Sequence, residues 1–149
     1  MVQSQKVKQD AWYSAMQKLV HAITTDIDCT YLARVVKYDK KRHEADIQPL
    51  ATTSEGAERA QYLDVPVAST VYASDELLEA LKNEFKIIDN KTGSGLVDAI
   101  PGPSMVEGAT VVVVCLDQDS ENYTSDGTTY SPATSRQHSA NDSIIVGVM

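Results

Sequence analysis

The chain has 149 residues and a formal net charge of −8, from 21 acids against 13 bases. That length fits one domain with a core large enough to fold without staples. The acidic balance disfavours a phosphate-binding or anionic-membrane surface, both of which draw on clustered Lys and Arg, and favours solubility or a partner with a basic face. No secretory signal is visible, because Lys6, Lys8, Gln9 and Asp10 interrupt the first apolar residues. No run approaches the ~18 apolar residues of a membrane span. Synthesis in the cytoplasm and no direct membrane insertion are expected.

Residues 5–27 predict an amphipathic helix. Val7, Ala11, Ala15, Leu19 and Ile23 recur every four positions, and Trp12, Met16 and Val20 widen the stripe. Asp26 and Asp28 break it. A lone helix cannot bury such a stripe, so it packs on its own domain or on a partner. Residues 29–38 (CTYLARVVKY) and 43–50 (HEADIQPL) read as strands joined by a charged hairpin turn, Asp39 to Arg42. A polar loop over 51–60 leads to a third strand in which Leu63, Val65 and Val67 alternate, and Pro66 argues for a sheet edge or a bend.

Residues 75–88 (DELLEALKNEFKII) predict a helix capped by Ser74 or Asp75, with Leu77, Leu78, Leu81, Phe85 and Ile88 on one stripe. Residues 89–95 read as a turn and 96–100 as a short strand ended by PGP. The run ATVVVVCLD, 109–117, is apolar on both faces and is expected to be buried on both. Residues 118–142 form a polar loop, and 143–149 (SIIVGVM) a final strand. Five or six short strands, tight turns and one inserted helix predict a mainly β fold: a small OB-type β-barrel preceded by an amphipathic helix. The division is a helix over 1–28 and a barrel domain over 29–149.

Candidate chemistry is sparse. His21, His43 and His138 lack a second histidine at metal-ligand spacing. The row Asp117, Asp119, Glu121 starts like a calcium loop, but Asn122 stands where the turn glycine belongs and Thr128 where the bidentate glutamate belongs; a solvated acidic loop is the plainer reading. Cys29 and Cys115 sit in apolar runs and read as buried core residues, with a disulfide or metal pair as the alternative. GSGLVD at 93–98 lacks the third glycine and the strand-turn-helix setting of a dinucleotide loop. No nucleophile elbow or phosphate-loop sequence occurs. Lys37, Lys40, Lys41 and Arg42 cluster with Tyr38, as in a single-strand binding groove, but on an otherwise acidic chain a charged hairpin tip is the plainer account. No enzyme, metal or cofactor is expected, so chelation should leave melting unchanged; one tightly bound metal per chain on elemental analysis would contradict this.

Four segments, in order, resemble the OB-fold domain of phage baseplate spike proteins, from contractile-tailed phages and related tail machines. YLARVVKYDKKRHEADIQPL resembles the opening hairpin, and LDVPV the next strand. GATVVVVCLDQDSENY is similar to the glycine-led apolar strand running into an acidic turn. SRQHSANDSIIVGV is similar to the closing segment, in which Arg-x-His and an acid precede the last strand. The resemblance covers residues 29–149 and implies a homotrimer on the tail axis that plugs the tube beneath a hub protein, in the virion baseplate. It implies that one face of strand 109–117 meets a neighbouring subunit, placing Val112, Val114 and Ile145 at an interface, with Val7, Trp12, Met16, Leu19 and Ile23 packing on symmetry mates or the hub. The helix at 75–88 departs from the family, where a glycine-rich loop is common. The needle of longer relatives is missing, so either a separate tip protein supplies it or the spike is blunt. An OB-fold module that binds another protein or single-stranded nucleic acid is the alternative, in which case nucleic acid becomes a partner rather than being excluded.

Overall fold

The computed structural model describes residues 2–25, 27–124 and 126–149, with the side chains of the first helix from Lys6 onward. Asp26, expected to break the helical stripe, and Ser125 of the polar loop lie outside the described residues. In chain order the elements are α1 (Val2–Thr25), β1 (Thr30–Asp39), β2 (Glu44–Pro49), β3 (Tyr62–Pro66), α2 (Ser69–Thr92), α3 (Leu96–Ala99), β4 (Thr110–Cys115), a 3-10 turn (Ala140–Asp142) and β5 (Ser143–Val148).

The five strands form one antiparallel sheet in the order β3-β2-β1-β4-β5. Central β1 pairs on one side with β2, Val35 opposite Ile47, and on the other with β4, Leu32 opposite Val112. The sheet curls until its two ends touch. Val67, just past β3, makes a parallel bridge to Ile145 of β5, and the Ala68 N–H donates to the Ile145 carbonyl at 2.9 Å. Pro66 sits on edge strand β3, where its missing N–H leaves no central ladder bond unmade.

Strand alternation builds the core. Ala33 and Val35, Ala45 and Ile47, and Val111 and Val113 point inward from three adjacent strands, joined by Val65, Val67, Val71, Met105 and Ile145. A shift in the pairing between Val35 and Lys37 interrupts the alternation, and Val36 is left exposed. Each fully buried Val or Ile contributes about 1.5–3 kcal/mol of transfer free energy. The β1–β2 turn is organised by Asp39, whose Oδ1 accepts from the N–H groups of Lys41 (2.9 Å) and Arg42 (3.2 Å). Those bonds favour the charged form, so the Asp39 carboxyl lies below its ordinary range.

Several expectations are corrected. The segment expected as a strand over 96–100 holds the short helix α3: among the described residues it pairs with no strand, and the Asp89 carboxylate takes the N–H groups of Leu96 and Val97 at 2.7 and 2.8 Å. α2 runs from Ser69 to Thr92, beyond the expected 75–88 at both ends. Ser74 and Asp75 lie inside it, and Ala68 precedes it as the cap residue. Burial of Val71 in the core holds that first turn, although β-branched Thr70 and Val71 are weak helix formers. Gly93, at φ 65°, ends the helix in the left-handed conformation that suits glycine. With α2 this long, α1 and α2 at 24 residues each outnumber the residues of the five strands, so "mainly β" describes the core but not the chain. Cys29 is exposed rather than buried. Cys115 is buried, and burial pushes its thiol up; both are free.

Candidate interaction surfaces

From Lys6 to Thr25 every residue of α1 is exposed, Trp12 at 69%. The helix therefore does not cap its own barrel. The expected stripe needs one geometric correction. At about 100° per residue, steps of four drift around the helix, and Val7 ends roughly 160° from Ile23. Trp12, Met16, Leu19 and Ile23, spaced 4-3-4, stay within about 60° of one another. Tyr13, Ala15, Val20 and Ala22 flank them. Val7 lies off this seam.

Val112 and Val114 point to the outer face of β4, partly covered, beside Leu32 and Ile144. The strand is thus fully buried on one face only, and the other remains available. Ile145 is a correction. Its side chain is 0% exposed, enclosed by the chain's own core at the point where the sheet closes, and so cannot meet a neighbour.

At the hairpin tip Lys37, Lys40 and Arg42 stand among acids. Arg42 is held by Glu44 (2.6 Å) and Asp64 (3.4 Å), and Asp39 and Asp46 stand beside Lys37. Tyr38 instead lines a cleft of about 150 Å³ between α2 and residues 100–105, with Tyr72, Glu76, Leu78 and Met105. At its edge His43, at φ 54°, stacks on Tyr72 with ring centroids 3.7 Å apart. Its Nδ1 lies 3.4 Å from the Tyr38 hydroxyl and its Nε2 3.7 Å from Glu76. The sequence hinted at Tyr38 but not at Tyr72, which sits 34 positions away in a helix turn that precedes the expected start of the helix at 75.

The long polar loop is organised, not loosely solvated. Arg136 bridges three acids: Asp142 through Nε at 2.8 Å, Glu121 at 3.3 Å and Asp119 at 3.5 Å. The Asp119 side chain is fully enclosed and also accepts from the Thr134 hydroxyl at 2.6 Å and the Glu121 N–H at 3.0 Å. Asp142 accepts the Ser120 N–H at 3.0 Å. Hydrogen bonds, from Thr134 above all for Asp119 and from Arg136 for Asp142, hold both carboxyls below their ordinary range. Asp142 in turn holds the guanidinium proton more tightly. His138 lies 3.0 Å from Asp117, and its N–H and carbonyl tie the loop to Asp117 and Asp28. Arg136, His138 and Asp142 are the residues of the Arg-x-His-and-acid segment, so that spacing has a structural cause. Composition alone could not find this cluster, because its members lie up to 23 positions apart in a segment without period.

The pH dependence follows in sign. Groups whose folded pKa is depressed add stability above the unfolded carboxylate range, near pH 4, and lose it as pH falls through their folded values. Melting should therefore be flat from neutral pH to about pH 4 and fall below it. An Arg136→Met chain should show a shallower acid limb in a melting-against-pH series.

A scan against protein-family models matches none, and a search of curated proteins finds no similar sequence. Among the described residues no helix is long and apolar enough to cross a membrane.

Proposed function

We propose that the chain is the OB-type barrel of a phage or phage-like tail baseplate spike, a homotrimer that plugs the tail tube and attaches to a hub protein. Its work is architectural, without catalysis, in the virion after synthesis in the host cytoplasm. The observation that carries this reading is the strand order. β1 is shared between β2 and β4, a helix falls between β3 and β4, and the sheet ends meet in parallel at Val67 and Ile145. An OB barrel needs that arrangement, and the four family-like segments fall on its strands in the same order. The unpartnered face of α1 and the half-covered Val112 and Val114 supply surfaces for neighbours.

Native mass measurement tests the proposal: a stable trimer is expected, and a monomer counts against it. Deleting residues 1–27 should leave a folded barrel that no longer trimerises or enters tails. Normal assembly of the truncated chain would make the helix dispensable, and outright unfolding would make it part of the barrel's own core. A salt-sensitive mobility shift with single-stranded DNA would favour the alternative, an OB binding module.

A further inference from the structure

A ring of three identical chains is built from heterologous contacts, in which a surface on one chain meets a different surface on the next. The chain carries two such surfaces, both uncovered. The first is the α1 seam, Trp12 through Ile23. The second is on α2, which among the described residues buries only Val71 in the core and leaves Leu77, Leu81, Ile87 and Ile88 exposed. At about 100° per residue these four fall within roughly 120° of arc, with Glu84 among them. The helices have opposite charge. α1 holds three lysines and one aspartate, whereas α2 holds five acids and three lysines. Lys8 borders the α1 seam as Glu84 interrupts the α2 face.

Their placement suits a contact between chains. α1 joins the barrel where the Asp28 N–H donates to the His138 carbonyl and Asp28 pairs with Arg59. α2 begins at the other end of β1, where Tyr72 stacks on His43. β1 is 10 residues long and spans about 33 Å. α1 is 24 residues long and spans about 36 Å, enough to run the height of a barrel. We infer that, in the assembled spike, α1 of each chain lies on the exposed α2 face of the next copy, apolar seam to apolar face and basic helix to acidic helix. This rests on the trimer reading and names the surfaces that make the trimer.

Two single substitutions at exposed positions test it: Leu19→Asp on α1 (54% exposed) and Leu77→Asp on α2 (59% exposed). Each should remain folded by circular dichroism and lose the trimer in native mass measurement. Leu77→Gln replaces the second if the charge lowers helix content. Mixing the two variants should give a 1:1 heterodimer, because the intact α1 of one still fits the intact α2 of the other while the ring cannot close. A Leu77 variant that stays trimeric while Leu19→Asp does not would overturn the inference and leave the trimer reading standing. A closed ring of another copy number, dissociated by either substitution, would support the α1–α2 contact and overturn the trimer. A wild-type chain monomeric at all concentrations would overturn both.

Discussion

Ile145→Asp is expected to unfold most of the chain at neutral pH. Ile145 is fully enclosed where β5 closes against Val67 and pairs with Val113. An aspartate there must be protonated to stay, and at pH 7 that costs about 4 kcal/mol against an unfolded carboxyl titrating near 4. Loss of the apolar side chain adds about 2 kcal/mol. Together they consume much of the ~5–15 kcal/mol that stabilises a domain. Ile145→Val should cost only about 1 kcal/mol. Urea unfolding followed by circular dichroism compares the two, and an aspartate variant with an unchanged midpoint would mean that β5 does not close the sheet.

Asp142→Ala is the second large effect. It removes both bonds from Arg136 and the acceptor of the Ser120 N–H, leaving the guanidinium only its longer contacts to Glu121 and Asp119 and a backbone donor unpaired at the foot of β5. Melting should fall by on the order of 10 °C. Glu121→Ala, at the exposed side of the same guanidinium, should change it little, since solvent screens that pair. Equal melting for both variants would show that the cluster does not brace the loop.

The strands are legible because their β-branched and apolar runs are bounded by turns and charged or polar loops. Val65 and Val67 are core residues both by alternation and by structure, whereas in 109–117 the all-apolar pattern does not tell the buried face of Val111 and Val113 from the half-covered one of Val112 and Val114. Legibility failed where tertiary context outweighs local preference. Val71 draws Ser69 to Ser74 into α2, and Asp89 gathers 96–99 into a helical turn. The row Asp117, Asp119, Glu121 reads as solvated acid because carboxylates do not announce the guanidinium, 15 positions beyond the last of them, that pairs with Asp119 and Glu121. At the interaction surfaces, Trp12, Met16, Leu19 and Ile23 are exposed, so their stripe does not pack on the chain's own sheet. Val7 and Ile145 separate from that set for different reasons, one by helical drift and one by enclosure.

The central position of β1 has a consequence for the order of events during synthesis. One edge of β1 pairs with β2 almost at once, through a short turn. The other edge, Thr30 to Arg34, must wait for Thr110 to Val114. At ribosomal rates of about 5–20 residues per second, that edge stays open for on the order of ten seconds, during which α1 and α2 have long since coiled. Closure of the sheet is thus a late, long-range step. Refolding from denaturant should accordingly show helix signal recovering well before Cys115 becomes protected from thiol reagents.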